Sequence, residues 1–210
     1  MNPQTTGASR RIDTRKLVLL GLLTAIVVIL QVLAIFLRPL LPAFTINLVL
    51  IPIVIGAALT GVYAGGWLGL VSGFAVLISG DAAVFLAIDP FATIIVVLGK
   101  GLLSGLAAGA VYKLIEGKSK TSKTIAAVAA AAACPIVNTG VFVVGVYAAF
   151  LPTVREWGEA VGMSNVTAFI FIGMIGINFL IELGFNLVLS PVIVRLVQLG
   201  QDRSMRSVRK

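Results

Sequence analysis

Long apolar stretches separated by short polar segments are the feature that most constrains how this chain folds. A helix needs about 20 mostly apolar residues to cross the hydrocarbon core of a bilayer. Residues 46–79 are too long for one helix, and Thr60-Gly61 predicts a turn that divides them. We predict spans at residues 17–37, 46–60, 61–79, 91–115, 124–150 and 166–199. The predicted fold class is therefore an all-α integral membrane protein with six transmembrane helices.

These spans form a single membrane domain at residues 17–199, between a basic segment at 1–16 and a basic tail at 200–210. Arg38-Pro39 is predicted to end the first span, and Pro52 is expected to kink the second because proline lacks a backbone N–H. The connections at 80–90 and 152–165 are predicted to be loops, and the one at 116–123 a polar, basic loop.

The basic residues are divided unevenly between the two predicted sides of the membrane. With the amino terminus inside, the inner segments carry 13 of the 16 Lys and Arg residues, and the outer loops carry Arg38 and Arg155. Because Lys and Arg collect on the cytoplasmic side, we expect both termini there. The net charge of +8 is then explained by topology and by contact with the lipid bilayer, and we expect no nucleic-acid partner.

Missing residue types exclude several kinds of site. The chain has no histidine, which removes Ser-His-Asp and Cys-His catalysis and His-ligated zinc. Cys134, the single cysteine, is expected to be a small buried packing residue. The sequence Gly99-Lys100-Gly101 lacks both the earlier glycine and the following Ser or Thr of an ATP-binding Walker A loop. We therefore expect no catalytic site, no metal site and no cofactor.

Glycines spaced four residues apart recur in the third and fourth spans. The two stripes are Gly65-x-x-x-Gly69-x-x-x-Gly73 and Gly101-x-x-x-Gly105-x-x-x-Gly109. Such stripes allow helix backbones to approach closely in lipid, where no hydrophobic force drives helices together. We favour packing within one chain over a contact between subunits.

Two ionisable residues fall within predicted spans, Lys100 in the fourth and Glu182 in the sixth. Each costs roughly 2.5–3.5 kcal/mol or more at mid-bilayer, so such residues are functional candidates by default. At about 1.5 Å per residue in a core about 30 Å thick, Lys100 lies roughly 13 Å and Glu182 roughly 10 Å below the outer edge. Asn138 in the fifth span falls at a similar level.

Further polar side chains accompany this pair. Asn178, Glu182 and Asn186 follow at intervals of four residues and share one helix face. We predict a substrate site in the outer half of the membrane, formed by Lys100, Asn138, Thr139, Asn178 and Glu182. A buried Lys100–Glu182 ion pair with bridging amides and a purely structural role remains an open alternative.

The motifs that carry a family resemblance lie at residues 16–25, 47–56, 59–73, 98–112, 135–142 and 178–186. Their order and spacing over about residues 15–198 resemble the S components of energy-coupling factor (ECF) transporters, the six-helix substrate-binding subunits of a class of ABC importers. The resemblance implies a non-enzymatic protein of the prokaryotic plasma membrane that binds a small water-soluble vitamin or precursor from outside. It also implies a transmembrane coupling subunit and two cytoplasmic ATPase subunits as partners.

The resemblance also assigns roles to particular residues. In the family, cargo is bound by the outer loops and the outer halves of helices four to six, which maps onto Lys100, Asn138, Asn178 and Glu182. The family's Ala-x-x-x-Ala coupling surface has Gly21-x-x-x-Ala25 as its nearest match here.

The identity of the cargo stays open. A lysine with several amides would suit a small carboxylate-bearing cargo such as pantothenate. The outer segments offer few aromatic residues, namely Phe85, Phe91, Phe150 and Trp157. The alternative function is an autonomous secondary transporter or channel for a small solute, with Glu182 available for ion coupling.

Overall fold

The computed structural model describes residues 14–37 and 48–208, and every regular element in these ranges is helical. The helices are α1 (Thr14–Leu37), α2 (Leu50–Thr60), α3 (Val62–Ser79), α4 (Ala83–Ile88), α5 (Pro90–Ile115), α6 (Lys120–Gly145), α7 (Leu151–Ala160), α8 (Val166–Ala168), α9 (Ile177–Val188) and α10 (Ser190–Val208). Two π-helical stretches, Val146–Phe150 and Phe169–Gly176, follow α6 and α8. The predicted all-α class is confirmed.

Several predicted features lie outside the described residues. They are residues 1–13 of the basic amino-terminal segment, Arg38-Pro39, the predicted start of the second span at Ile46, and Arg209 and Lys210 of the tail.

Four described helices are long and apolar enough to cross a membrane, and they make this a multi-pass membrane protein: Thr14–Phe36, Val62–Ser79, Pro90–Ile115 and Lys120–Ala160. A fifth span results if Val166–Gly176 and Asn178–Val188, which meet at 41°, are counted together. The described part of the second predicted span is the 11-residue α2, which is shorter than a bilayer requires. Six full spans and the cytoplasmic position of both termini therefore stay predictions.

Glycine and proline define the ends of α2. Gly61 has a φ of +115°, a conformation that L side chains rarely adopt, and it forms the turn into α3. The turn predicted at Thr60-Gly61 is confirmed. The kink expected at Pro52 is wrong, because α2 begins only at Leu50. Pro52 lies in the first turn, where a helix needs no N–H hydrogen bond.

All three connections predicted to be loops include helical residues. Residues 116–123 contain the first turn of α6. Residues 80–90 include α4, and residues 152–165 include most of α7. At the end of α4, the Asp89 side chain accepts a hydrogen bond from Ala92 N at 3.0 Å, and Pro90 is the first residue of α5. A capping Asp followed by Pro is a strong start signal for a helix. Within α7, Val154 and Gly158 are buried and share one face.

The two glycine stripes pack against each other between α3 and α5. A Cβ added at Gly69 would collide with the carbonyl group of Gly101, and one added at Gly105 with that of Gly65. The pairing of Gly65 with Gly105 and Gly69 with Gly101 requires that the helices run antiparallel with their backbones in contact. The predicted packing within one chain is confirmed.

The buried apolar residues form two clusters at different heights in the bundle. The larger joins α1, α2, α6 and α10 around residues such as Val27, Ile53 and Ile193. The smaller joins the π-helical stretches and α7 around Phe150, Val154 and Ile170. Phe85 and Trp157 pack against the smaller cluster, and this end of the bundle contains the candidate site.

Candidate functional site

Lys100 lies in the middle of α5, facing α6. Its Nζ is 5.3 Å from the centroid of the Phe142 ring, within the range of a cation–π interaction. The side chain is partly buried, and its helix neighbour Gly101 contacts α3. The backbone at Lys100 is thus held by the tight packing of α5 against α3.

Glu182 of α9 lies close enough to Lys100 to act on its ammonium group electrostatically. The two ionisable residues predicted to share one level therefore lie within electrostatic range of each other, although they are 82 positions apart in the chain. Glu182 is half-buried. This proximity is compatible both with a substrate site and with the structural ion pair. Within the described residues, no group of three or more His, Cys, Asp and Glu side chains could hold a metal ion.

Four aromatic side chains converge next to Lys100. Phe85 of α4 lies at their centre, with ring centroids 5.7 Å from Phe142, 5.0 Å from Phe150 and 5.7 Å from Trp157. The rings meet edge to face at 64–88°, the arrangement that aromatic pairs prefer. We call Phe85, Phe142, Phe150 and Trp157 the aromatic cluster.

Sequence reasoning named three of these aromatic residues but missed Phe142. Phe91, named with them, is 76% exposed and lies at the start of α5. The spacing of the sequence could have identified Phe142. It follows Asn138 by four residues on α6 and therefore shares the same helix face.

Asn138 and Thr139 differ in their surroundings. Asn138 is 9% exposed, and its side chain makes no hydrogen bond to any other described residue. It lies one turn from Phe142 and hence near Lys100. Thr139 is half-buried and precedes Phe142 by three residues, so it lies about 60° from Phe142 round the helix and borders the same face. A role for either residue in binding stays a prediction.

The polar stripe of the sixth predicted span divides into two parts. Asn178 is half-buried one turn before Glu182. Asn186 is 1% exposed and donates from Nδ2 to the carbonyl oxygen of Glu182 at 2.9 Å. Its Oδ1 has no hydrogen-bond partner in the described chain. Asn186 thus bonds to its own helix, whereas Glu182 acts on Lys100.

A polar connection between α1 and the segment before α4 was not anticipated from the sequence. Gln31 is 5% exposed on α1, and its Nε2 donates to Ser79 Oγ at 3.2 Å and to the Asp81 carboxylate. Ser79 Oγ in turn donates to Asp81 Oδ2 at 2.8 Å. Asp81 precedes Phe85 by four residues, so these bonds tie α1 to the segment that carries the centre of the aromatic cluster.

Replacing Gln31 with Leu is expected to loosen residues 80–89. Hydrogen bonds to charged groups contribute about 1.5–3 kcal/mol. The equilibrium constant for local opening of this segment should therefore rise roughly tenfold or more. Hydrogen–deuterium exchange should show faster uptake in the peptide that contains Phe85. Gln198→Leu is the matched control, because Gln198 donates to Thr124 Oγ1 at 3.3 Å elsewhere in the fold. Equal uptake at residues 80–89 in both variants would contradict the role of Gln31.

The predicted coupling face on α1 is open to contact. Gly21 and Ala25 are both exposed, and a Cβ added at Gly21 would meet nothing within 4 Å. Leu23 and Val27, by contrast, are buried on the opposite side of the helix. The structure leaves Gly21 and Ala25 free of packing within the described chain, and their contact with a coupling subunit stays a prediction.

Comparison with known protein families places these features in context. The family model described as the substrate-specific component of ECF transporters matches residues 15–194. A search of curated proteins found no match, and neither did a search of solved structures. The matched region coincides closely with residues 15–198, over which the sequence motifs resemble this family, and the resemblance is confirmed.

Proposed function

Because this chain belongs to the family of substrate-specific components of ECF transporters, we propose that it binds a small water-soluble vitamin or precursor from outside the cell. The cargo then passes to an energising module made of a transmembrane coupling subunit and two cytoplasmic ATPase subunits. The membrane is the plasma membrane of a prokaryote. In this proposal the chain contributes recognition and passage through the bilayer, and its partners contribute the energy.

The convergence of Lys100, Glu182 and the aromatic cluster is the observation that carries this proposal. Six elements, α4, α5, α6, the π-helical stretch Val146–Phe150, α7 and α9, bring these side chains together at one end of the bundle. An ammonium group beside apolar rings is poorly solvated, so an anionic cargo group gains more from it than it would in water. The adjacent rings offer apolar surface to the rest of the cargo molecule.

Each predicted binding residue then has a distinct role. Lys100 binds a carboxylate of the cargo, and Glu182 holds the ammonium group in position before the cargo arrives. Asn138 supplies an amide group that has no hydrogen-bond partner among the described residues. Asn178, one turn before Glu182, and Thr139, next to Asn138, add further polar groups. A small polar cargo with a carboxylate, of which pantothenate is an example, fits this set.

Mass spectrometry of small molecules that co-purify with the chain is the experiment that identifies the cargo, and calorimetry then measures its affinity. We expect tight binding by the purified chain but no transport when it is reconstituted alone in liposomes. Uptake should require the coupling and ATPase subunits. Concentrative uptake by the chain alone would instead favour an autonomous secondary transporter.

Bulky substitutions at Gly21 and Ala25 are expected to prevent docking to the coupling subunit. Gly21→Leu with Ala25→Leu places two large side chains on an exposed face of α1, where small residues allow close helix approach. Co-purification of the coupling subunit should fall at least tenfold while cargo affinity stays unchanged. Gly140→Leu is the matched control, since Gly140 on α6 is also exposed with nothing within 4 Å of an added Cβ. Intact complexes with the double variant would exclude this face.

A further inference from the structure

A groove between α6 and α10 lies apart from the candidate cargo site. It has a volume of about 500 Å³ and is bordered by Thr124 and Val128 of α6 and by Ser190, Pro191, Val194, Arg195 and Gln198 of α10. The side chain of Gln198 bridges the two helices by donating to Thr124 Oγ1 at 3.3 Å. The groove is therefore a formed feature between two packed helices.

The groove is polar at one end and apolar at the other. Arg195 and Gln198 supply hydrogen-bond donors and a positive charge, and Arg195 is exposed. The Thr124 hydroxyl donates to Lys120 O at 3.0 Å within α6. Val128, Pro191 and Val194 supply apolar surface, and Val128 and Val194 lie one turn from Thr124 and Gln198 along their helices. A phospholipid has the same two-part character, with a charged headgroup next to acyl chains.

The positive charge around the groove favours a lipid with an anionic headgroup. Lys120 and Lys123 lie in the first turn of α6, directly before Thr124, and no acidic residue occurs between residues 117 and 155 or between 183 and 201. Lys and Arg near a membrane surface attract anionic headgroups by about 1 kcal/mol each. We propose that this groove binds one anionic phospholipid, with its phosphate at Arg195 and Gln198 and an acyl chain along Val128 and Val194.

Native mass spectrometry of the purified chain with phosphatidylglycerol and phosphatidylcholine tests this proposal. The wild-type chain is expected to retain one phosphatidylglycerol in preference to phosphatidylcholine, and Arg195→Gln is expected to reduce that preference about fivefold, the factor that corresponds to one cation at a membrane surface. Lys113→Gln is the matched control, because Lys113 is an exposed cation at the end of α5 that does not border the groove. It should leave the preference unchanged.

Two results would overturn the proposal. Equal retention of both lipids by the wild-type chain would mean that the groove receives a zwitterionic lipid or a protein segment instead. Equal loss of preference in Arg195→Gln and Lys113→Gln would mean diffuse attraction without a site. A second variant, Val128→Phe, narrows the apolar part without changing charge, and its lipid retention should fall while the thermal unfolding temperature confirms a folded chain. These measurements need no cargo, so they do not depend on the proposed function.

Discussion

Replacing Lys100 with Met is expected to weaken cargo binding by about 10- to 150-fold. This range corresponds to the loss of one hydrogen bond to a charged group, about 1.5–3 kcal/mol. Methionine keeps much of the length and apolar surface of lysine, so the contact with Phe142 is largely retained while the positive charge is removed. Calorimetry with the co-purified cargo measures the change. Lys113→Met, on an exposed residue of the same helix, should bind as the wild-type chain does.

A second variant separates cargo binding from a structural ion pair. Lys100→Met leaves the Glu182 carboxylate without the cation that acts on it, and breaking such a pair destabilises a protein. Combining it with Glu182→Gln removes both charges, so the double variant should recover thermal stability. If Lys100 binds cargo, affinity stays low in the double variant. Recovery of wild-type affinity together with stability would show that Lys100 serves only as the partner of Glu182.

The electrostatic interaction of Lys100 with Glu182 could be predicted because the membrane supplies a common scale of depth. Each helix rises by a fixed distance per residue, and charged residues are rare enough in a bilayer to stand out. Counting residues from the span ends therefore placed both side chains at one level. The same rule placed Asn138 near them, and Asn138 lies one turn from Phe142, which Lys100 approaches.

The aromatic cluster could not be predicted in the same way. Its four members come from α4, α6, a π-helical stretch and α7, and their meeting depends on how these elements pack. Two of the four, Phe85 and Trp157, lie in segments that polar residues and proline marked as loops. A short amphipathic helix such as α7 carries too few apolar residues to resemble a membrane span. Its buried face could therefore not be recognised from the sequence pattern.

Gln31 shows a further limit of sequence patterns. A single amide within an apolar span has no periodicity, and its bonds to Ser79 and Asp81 join residues about 50 positions apart. The glycine stripes, by contrast, could be recognised in the sequence because they repeat. Their period of four defines a helix face even when the partner helix is unknown. The structure identifies that partner as the other stripe.

Replacing Gly101 with Ala is therefore expected to destabilise the whole bundle. The added methyl group would collide with the Gly69 carbonyl group on α3. Overpacking typically costs 1–3 kcal/mol, and we expect about 3 kcal/mol here because a neighbouring backbone yields less readily than a side chain. The favourable helix propensity of alanine offsets about 1 kcal/mol of this loss.

Gly99→Ala makes the same chemical change two residues away on the same helix, where an added Cβ meets nothing within 4 Å. It gains the same propensity without the collision, so the two variants should differ by about 3 kcal/mol in the free energy of unfolding. For a chain of this size that difference corresponds to roughly 6–12 °C in the midpoint of thermal unfolding. Tryptophan fluorescence in detergent measures both midpoints. Equal midpoints would mean that α3 and α5 are not in backbone contact, and that the stripes pack against a separate subunit instead.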